Sequence, residues 1–209
     1  MTGVQTCALP ICHGAVASIV VIFLTSGAMF GANDVAVVAF ATELGQKSAA
    51  GAALAAWAAG SFLAALAYGS RSWGWPLRKQ LAAGALALAL GASTFAVAPN
   101  LAVVSGLYAL TGLAIAPTIT SGNNIVQVTV APSQLTEGLA WVSTALNIGV
   151  SLGSMVAGRV LDASGSRGGY LLVAGFAWTG AAVAAGSLPI LRRVRTHSRI
   201  PLEGRADER

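Results

Sequence analysis

The chain has 209 residues, 56% of them hydrophobic and only 9% charged, with a mean hydropathy of +0.73. Soluble domains carry about 25% charged residues, so this chain cannot clothe a globular surface, and a soluble fold is excluded. The net charge is +5, but the basic residues lie between or after apolar runs, with no basic stripe interleaved with aromatics; that excludes nucleic-acid binding and points to a bilayer as partner.

Residues 1–12, "MTGVQTCALPIC", break in composition from everything after His13 and hold both cysteines, Cys7 and Cys12. A signal peptide would need a basic n-region and a separate apolar h-region, and neither is there. Two thiols separated by four residues, with no other ligand nearby, are too few for a zinc site.

A spanning helix needs about 20 mostly apolar residues, because hydrocarbon cannot satisfy exposed backbone groups. Six runs are read as spans. The first, Ala15–Phe40, carries Asn33 and Asp34 toward its end and Gly27 and Gly31 four residues apart. The second, Ala49–Tyr68, has small residues at Ala52, Ala56 and Gly60. The loop after it holds Gly69, Arg71, Arg78 and Lys79, with Trp73 and Trp75 placed as in an interfacial aromatic belt. The third span, Gln80–Val97, has no ionisable residue.

The fourth, Leu101–Val126, contains Pro117, which removes a backbone hydrogen bond and predicts a kink. Asn123, Asn124 and Gln127 lie at or near its end. The fifth, Leu139–Val160, is preceded by Glu137, contains Asn147, and has small residues at Gly149, Gly153, Ala157 and Gly158. Such small-residue spacing lets helices approach closely. The sixth, Tyr170–Ile190, is again free of ionisable residues, and a polar, basic tail over 191–209 follows, expected to be disordered.

The order polar, mixed, apolar thus occurs twice, which predicts an all-α membrane protein of six transmembrane helices in a 3+3 inverted repeat. The apolar third and sixth spans would face lipid. With the start of the first span inside, nine basic residues (Arg71, Arg78, Lys79, Arg192, Arg193, Arg195, Arg199, Arg205, Arg209) fall on the cytoplasmic side and three (Lys47, Arg159, Arg167) outside. That satisfies the positive-inside rule and places the C-terminus in the cytoplasm.

A carboxylate within an apolar run is expensive, so Asp34 reads either as a proton-coupling or cation-binding group or as a wetted residue near the outer end of a tilted helix. Asn33 and Asn147 can line a substrate pathway or bond neighbouring helices. Asn123, Asn124 and Gln127 can do the former or cap a helix end at the cytoplasmic rim. There is no nucleophile–base pair, metal-ligand spacing, phosphate loop or carboxylate dyad, and His13 and His197 are isolated. No enzyme activity, cofactor or metal is expected.

The stretch from "GLAIAP" through "TEGLAW" to "GVSLGSMVAG" and Asp162 resembles the tenth and eleventh helices of major facilitator superfamily transporters of the bacterial drug-efflux type, and "MFGANDVAVVAFATELG" resembles their seventh. The likeness runs from His13 to about Arg193. It implies the second half, helices seven to twelve, of a twelve-helix carrier in a bacterial inner membrane, with spans one, two, four and five around a central cavity. It further implies export of a small molecule by proton-coupled alternating access, against an N-terminal six-helix half that this chain lacks.

"YGSRSWGWPLRKQ" resembles the basic part of the family's cytoplasmic loop signature, through Gly69, Arg71, Arg78 and Lys79, without its acidic residue. The Gly-rich fifth span resembles the efflux-associated glycine motif of the opposite half. Residues 1–12 resemble the conceptual translation of a sequencing-library adapter, which would make the chain a fragment with a false start. Two other readings stand beside this one: a six-helix membrane protein with a structural or assembly role, and a half-size carrier acting as a homodimer.

Overall fold

A computed structural model describes residues 14–71 and 73–192; the opening stretch 1–12, with its resemblance to an adapter, and the tail from residue 193 lie outside the described residues. Those described form helices and no strand: α1 (Gly14–Glu43), α2 (Ala50–Gly69), α3 (Leu77–Phe95), α4 (Leu101–Gly112), α5 (Ile115–Thr129) and α6 (Leu135–Arg192). Single 3₁₀ turns at Lys47–Ala49 and Pro132–Gln134 precede α2 and α6. Four helical segments are long and apolar enough to cross a membrane: Gly14–Glu43, Lys47–Gly69, Leu101–Thr129 and Pro132–Arg192. The helices are apolar all round, as expected where both neighbouring protein and lipid are apolar. The protein is an integral membrane protein.

α1 has 30 residues, about 45 Å of helix at 1.5 Å per residue, and must tilt to fit a hydrocarbon layer of about 30 Å. It is the most enclosed of the four crossing segments. Between α4 and α5 the helix breaks at Leu113 and Ala114. Leu113 is four residues before Pro117, so its carbonyl is the one that the proline ring both deprives of a donor and crowds. Asn100 starts this pair of helices by accepting a hydrogen bond from the Val103 amide at 2.9 Å, a standard N-cap.

The connection expected between the fifth and sixth spans is helical almost throughout. α6 runs 58 residues with one non-helical position, Gly165, at φ 66° and ψ −170°. A side chain there would be strained, and the residue divides α6 into limbs over 135–164 and 166–192. The second limb is capped from a distant part of the chain. The Glu43 carboxylate, at the end of α1, accepts from the Ser166 amide at 2.8 Å and from the Ser166 hydroxyl at 2.5 Å.

α1 packs against the first limb of α6 with backbones nearly touching. A Cβ at Gly27 would strike the Leu146 carbonyl, and one at Gly31 the Val150 carbonyl. From the other side, Gly149 abuts the Leu24 carbonyl and Gly153 the Ala28 carbonyl. Gly158, expected in the same stripe, meets open space. α2 and α4 interlock similarly, with Gly60 against the Ala109 carbonyl and Gly112 against the Trp57 carbonyl. The buried face of α2 is Ala50, Ala53, Gly60 and Ala64, so of the expected Ala52, Ala56 and Gly60 stripe only Gly60 is buried. α3 closes on α5 through Gly84 against Thr118 and on α4 through Gly91 against Thr111.

Candidate functional site

The polar residues singled out in α1 part company. Asn33 is fully buried, and its Oδ1 accepts a hydrogen bond of 2.6 Å from the Tyr108 hydroxyl of α4. Asp34, the next residue, is exposed. Its carboxylate makes no hydrogen bond or ion pair among the described residues, although it acts electrostatically on the Tyr108 hydroxyl. Neighbours on a helix differ by about 100°, so one backbone turns an amide into the core and a carboxylate out of it. α1 continues nine residues beyond Asp34, to Glu43.

Tyr108 stands in a cluster of aromatic rings that the sequence reading did not assemble. Its ring lies 4.9 Å from Trp57 and 4.7 Å from Phe95, both edge-on, and Phe95 lies 5.9 Å from Tyr170. Edge-to-face pairs at these separations are favourable beyond their area. Among the described residues the buried Tyr170 hydroxyl has no hydrogen-bond partner. Polar atoms here are therefore few, and the Tyr108 hydroxyl is satisfied by the Asn33 amide oxygen. Replacing Asn33 by leucine is expected to destabilise the protein by about 1–3 kcal/mol, because it strands the Tyr108 hydroxyl in the core. Adding Tyr108→Phe is expected to restore most of the loss, as read from unfolding midpoints of the purified protein in detergent.

On the first limb of α6, Ser143, Asn147 and Ser151 are all exposed and spaced four apart, which puts them on one face. Asn147 donates from Nδ2 to the Ser143 carbonyl at 2.8 Å, and the Ser151 hydroxyl donates to the Asn147 carbonyl at 3.1 Å. Asn147 extends along its own helix rather than bonding a neighbour, which leaves its Oδ1 on the open face. The glycine register fixes relative heights: Gly27 meets Leu146 and Val150, and Gly31 meets Val150 and Ser154. Asn147 is thus level with about Gly27, and Asp34 is roughly two turns further along. The two do not form one cluster. On α5, Asn123 and Asn124 are half-buried and Gln127 is exposed.

The α2–α3 loop is held by a network around Tyr68. The Tyr68 hydroxyl bonds Gln80 Oε1 of α3 and lies 3.1 Å from Ser121 Oγ of α5. The Gln80 amide donates to the Trp75 carbonyl at 2.6 Å, and the Trp73 indole N–H to the Tyr68 carbonyl at 3.1 Å. Gly69 meets nothing, and Arg71 and Lys79 are exposed with Arg78 half-buried. Neutral groups, not charges, do the tethering.

Among the described residues no group of three or more His, Cys, Asp or Glu side chains could hold a metal ion. No curated protein and no solved structure matches the chain. The family model of the Major Facilitator Superfamily matches residues 17–205. Since that match runs from the first turn of α1 through the whole of α6, the chain belongs to the major facilitator superfamily, a family of membrane transporters.

Proposed function

We propose that the chain forms one six-helix bundle of a proton-coupled exporter that moves a small molecule by alternating access in a bacterial inner membrane. The six crossings are α1, α2, α3, the α4–α5 pair and the two limbs of α6, arranged as two inverted triplets with the C-terminus in the cytoplasm. The open face carrying Asp34, Asn147 and Gln127 is completed by a second six-helix bundle, and the substrate passes between the two. Asn123 and Asn124 stand at the cytoplasmic approach to it, and Asn33 holds Asp34's neighbourhood in place through Tyr108.

The observation that carries this reading is the placement of Asp34. A helix as long as α1, centred on a bilayer, puts it about 8 Å from the midplane, well inside the roughly 15 Å half-thickness of hydrocarbon. A carboxylate held there with no hydrogen-bond or ion-pair partner among the described residues is a group that binds and releases a proton or cation as its surroundings change.

Everted membrane vesicles from cells producing the chain joined to the six-helix bundle that completes it, energised with a proton gradient, test it with ethidium as the probe. Uptake is expected to exceed that of control vesicles several-fold and to collapse on adding a protonophore. Excess uptake that survives the protonophore would remove proton coupling, and no excess at all would remove the export reading for this class of probe.

A further inference from the structure

We propose that the loop from Gly69 to Lys79 is a docking surface for anionic phospholipid headgroups, kept in docking shape by Tyr68. The segment holds three cations, Arg71, Arg78 and Lys79, and no acidic residue. It also presents two indoles, Trp73 at 50% and Trp75 at 65% exposure. It follows directly on α2, part of a segment long and apolar enough to cross the membrane, so these rings and charges stand where a bilayer's headgroups begin. Indoles favour that zone, with an apolar body and one N–H to satisfy.

Helix stability does not explain the cations. Arg78 and Lys79 lie in the first turn of α3, which has no acidic residue and no side-chain cap at its start. Positive charge at a helix N-terminus opposes the macrodipole. An anion bound there would relieve both the helix end and the two cations, and Arg71 across the loop could grip a phosphate with two donors.

Nor is the loop a loose tether. Trp73 stacks on Tyr68 with ring centroids 5.4 Å apart and planes within 23°. Tyr68 is anchored through its hydroxyl to Gln80 and Ser121, and Gln80 in turn pins the Trp75 carbonyl. Three helices therefore fix the Trp73 ring and the backbone at Trp75, between Arg71 and the Arg78–Lys79 pair. A free phosphate ion would use the cations and leave two large exposed apolar rings without a role; a lipid uses both, which commits the occupant to a phospholipid.

The full chain, reconstituted in phosphatidylcholine vesicles with a minority of phosphatidylglycerol, provides the test. Bromine is placed on the acyl chains of one lipid or the other, and quenching of Trp73 and Trp75 is isolated by subtracting the Trp73→Phe/Trp75→Phe variant. Brominated phosphatidylglycerol, at equal mole fraction, is expected to quench the loop as though enriched about five-fold or more. Even one basic side chain at a charged surface gives roughly that factor. The triple variant Arg71→Gln/Arg78→Gln/Lys79→Gln should bring the two lipids level, while Arg71→Lys/Arg78→Lys, which keeps the charge, should retain most of the preference. Tyr68→Phe removes only the hydroxyl and should at least halve the enrichment.

Equal quenching by the two lipids in the unaltered chain would overturn the proposal, as would a preference that persists in the triple variant. Loss of the preference on adding millimolar inorganic phosphate at constant ionic strength would assign the surface to a free anion instead.

Discussion

Gly153→Leu is expected to lower the stability of the detergent-solubilised protein by about 3 kcal/mol or more, the largest structural effect of any single substitution considered. The position opposite Gly153 is backbone: the carbonyl, carbonyl carbon and Cα of Ala28 crowd the place a Cβ would take. Overpacking against flexible side-chain tips costs about 1–3 kcal/mol. A main chain within a helix cannot swing away, so α1 and the first limb of α6 would have to separate along their whole contact. That separation also forfeits the close approaches at Gly27, Gly31 and Gly149, where dispersion between backbones replaces the hydrophobic driving force that lipid cannot supply. Gly158→Leu is the control. A Cβ there meets nothing, and any residue better suited to a helix than glycine gains up to about 1 kcal/mol. Unfolding midpoints in a sodium dodecyl sulfate titration should therefore move far down for Gly153→Leu and stay level or rise for Gly158→Leu. Equal shifts in both would mean that glycine content alone, not close approach, governs this stripe.

Those two glycines mark how far the sequence could be read. Small-residue spacing picks out Gly27, Gly31, Gly149 and Gly153, each of which lies against backbone of the facing helix, because a four-residue period places side chains on one helix face whatever the fold. Period alone could not exclude Gly158, which lies one residue round from that face. In α2 the same pattern chose Ala52, which proved exposed, because a helix apolar all round gives no signal of which side meets protein and which meets lipid. The break in the fourth run was legible, since proline disrupts the carbonyl four residues before it and the helix parts at Leu113.

The long α6 was not legible. "DASGSRGG" looks like a loop, and it becomes helix on either side of one glycine because Glu43, 123 residues before Ser166, supplies the missing cap. Long-range pairings leave no local trace. Tyr108 was overlooked for the same reason: a tyrosine in an apolar run is unremarkable until its hydroxyl is seen to end on Asn33. The reverse held for Asp34, where the cost of a charge in hydrocarbon made the residue conspicuous from composition alone.

Asp34→Asn should abolish the protonophore-sensitive part of ethidium uptake in energised everted vesicles, a loss of at least about ten-fold, while leaving the protein folded. Asparagine keeps the size and polarity of the side chain and removes only its ability to take and give a proton. Because the carboxylate has no hydrogen bond or ion pair among the described residues and is exposed, the substitution breaks no contact, and stability should stay within about 0.5 kcal/mol. Asn33→Leu is the useful contrast, since it acts one residue away through the Tyr108 bond and should lower stability first. Asp34→Glu retains the titrating group on a longer stem and should keep measurable proton-driven uptake. If Asp34→Asn transports as the unaltered protein does, Asp34 is a wetted residue on a tilted helix and the coupling group lies elsewhere. If instead it loses proton-driven uptake while substrate exchange across de-energised vesicles survives, the residue carries the coupling step alone. A defect in substrate binding would remove both. The outcome thus separates a group that charges and discharges during each cycle from one that simply lines the path, a distinction that the geometry of α1, with an amide turned inward and a carboxylate turned out, makes it possible to ask of a single side chain.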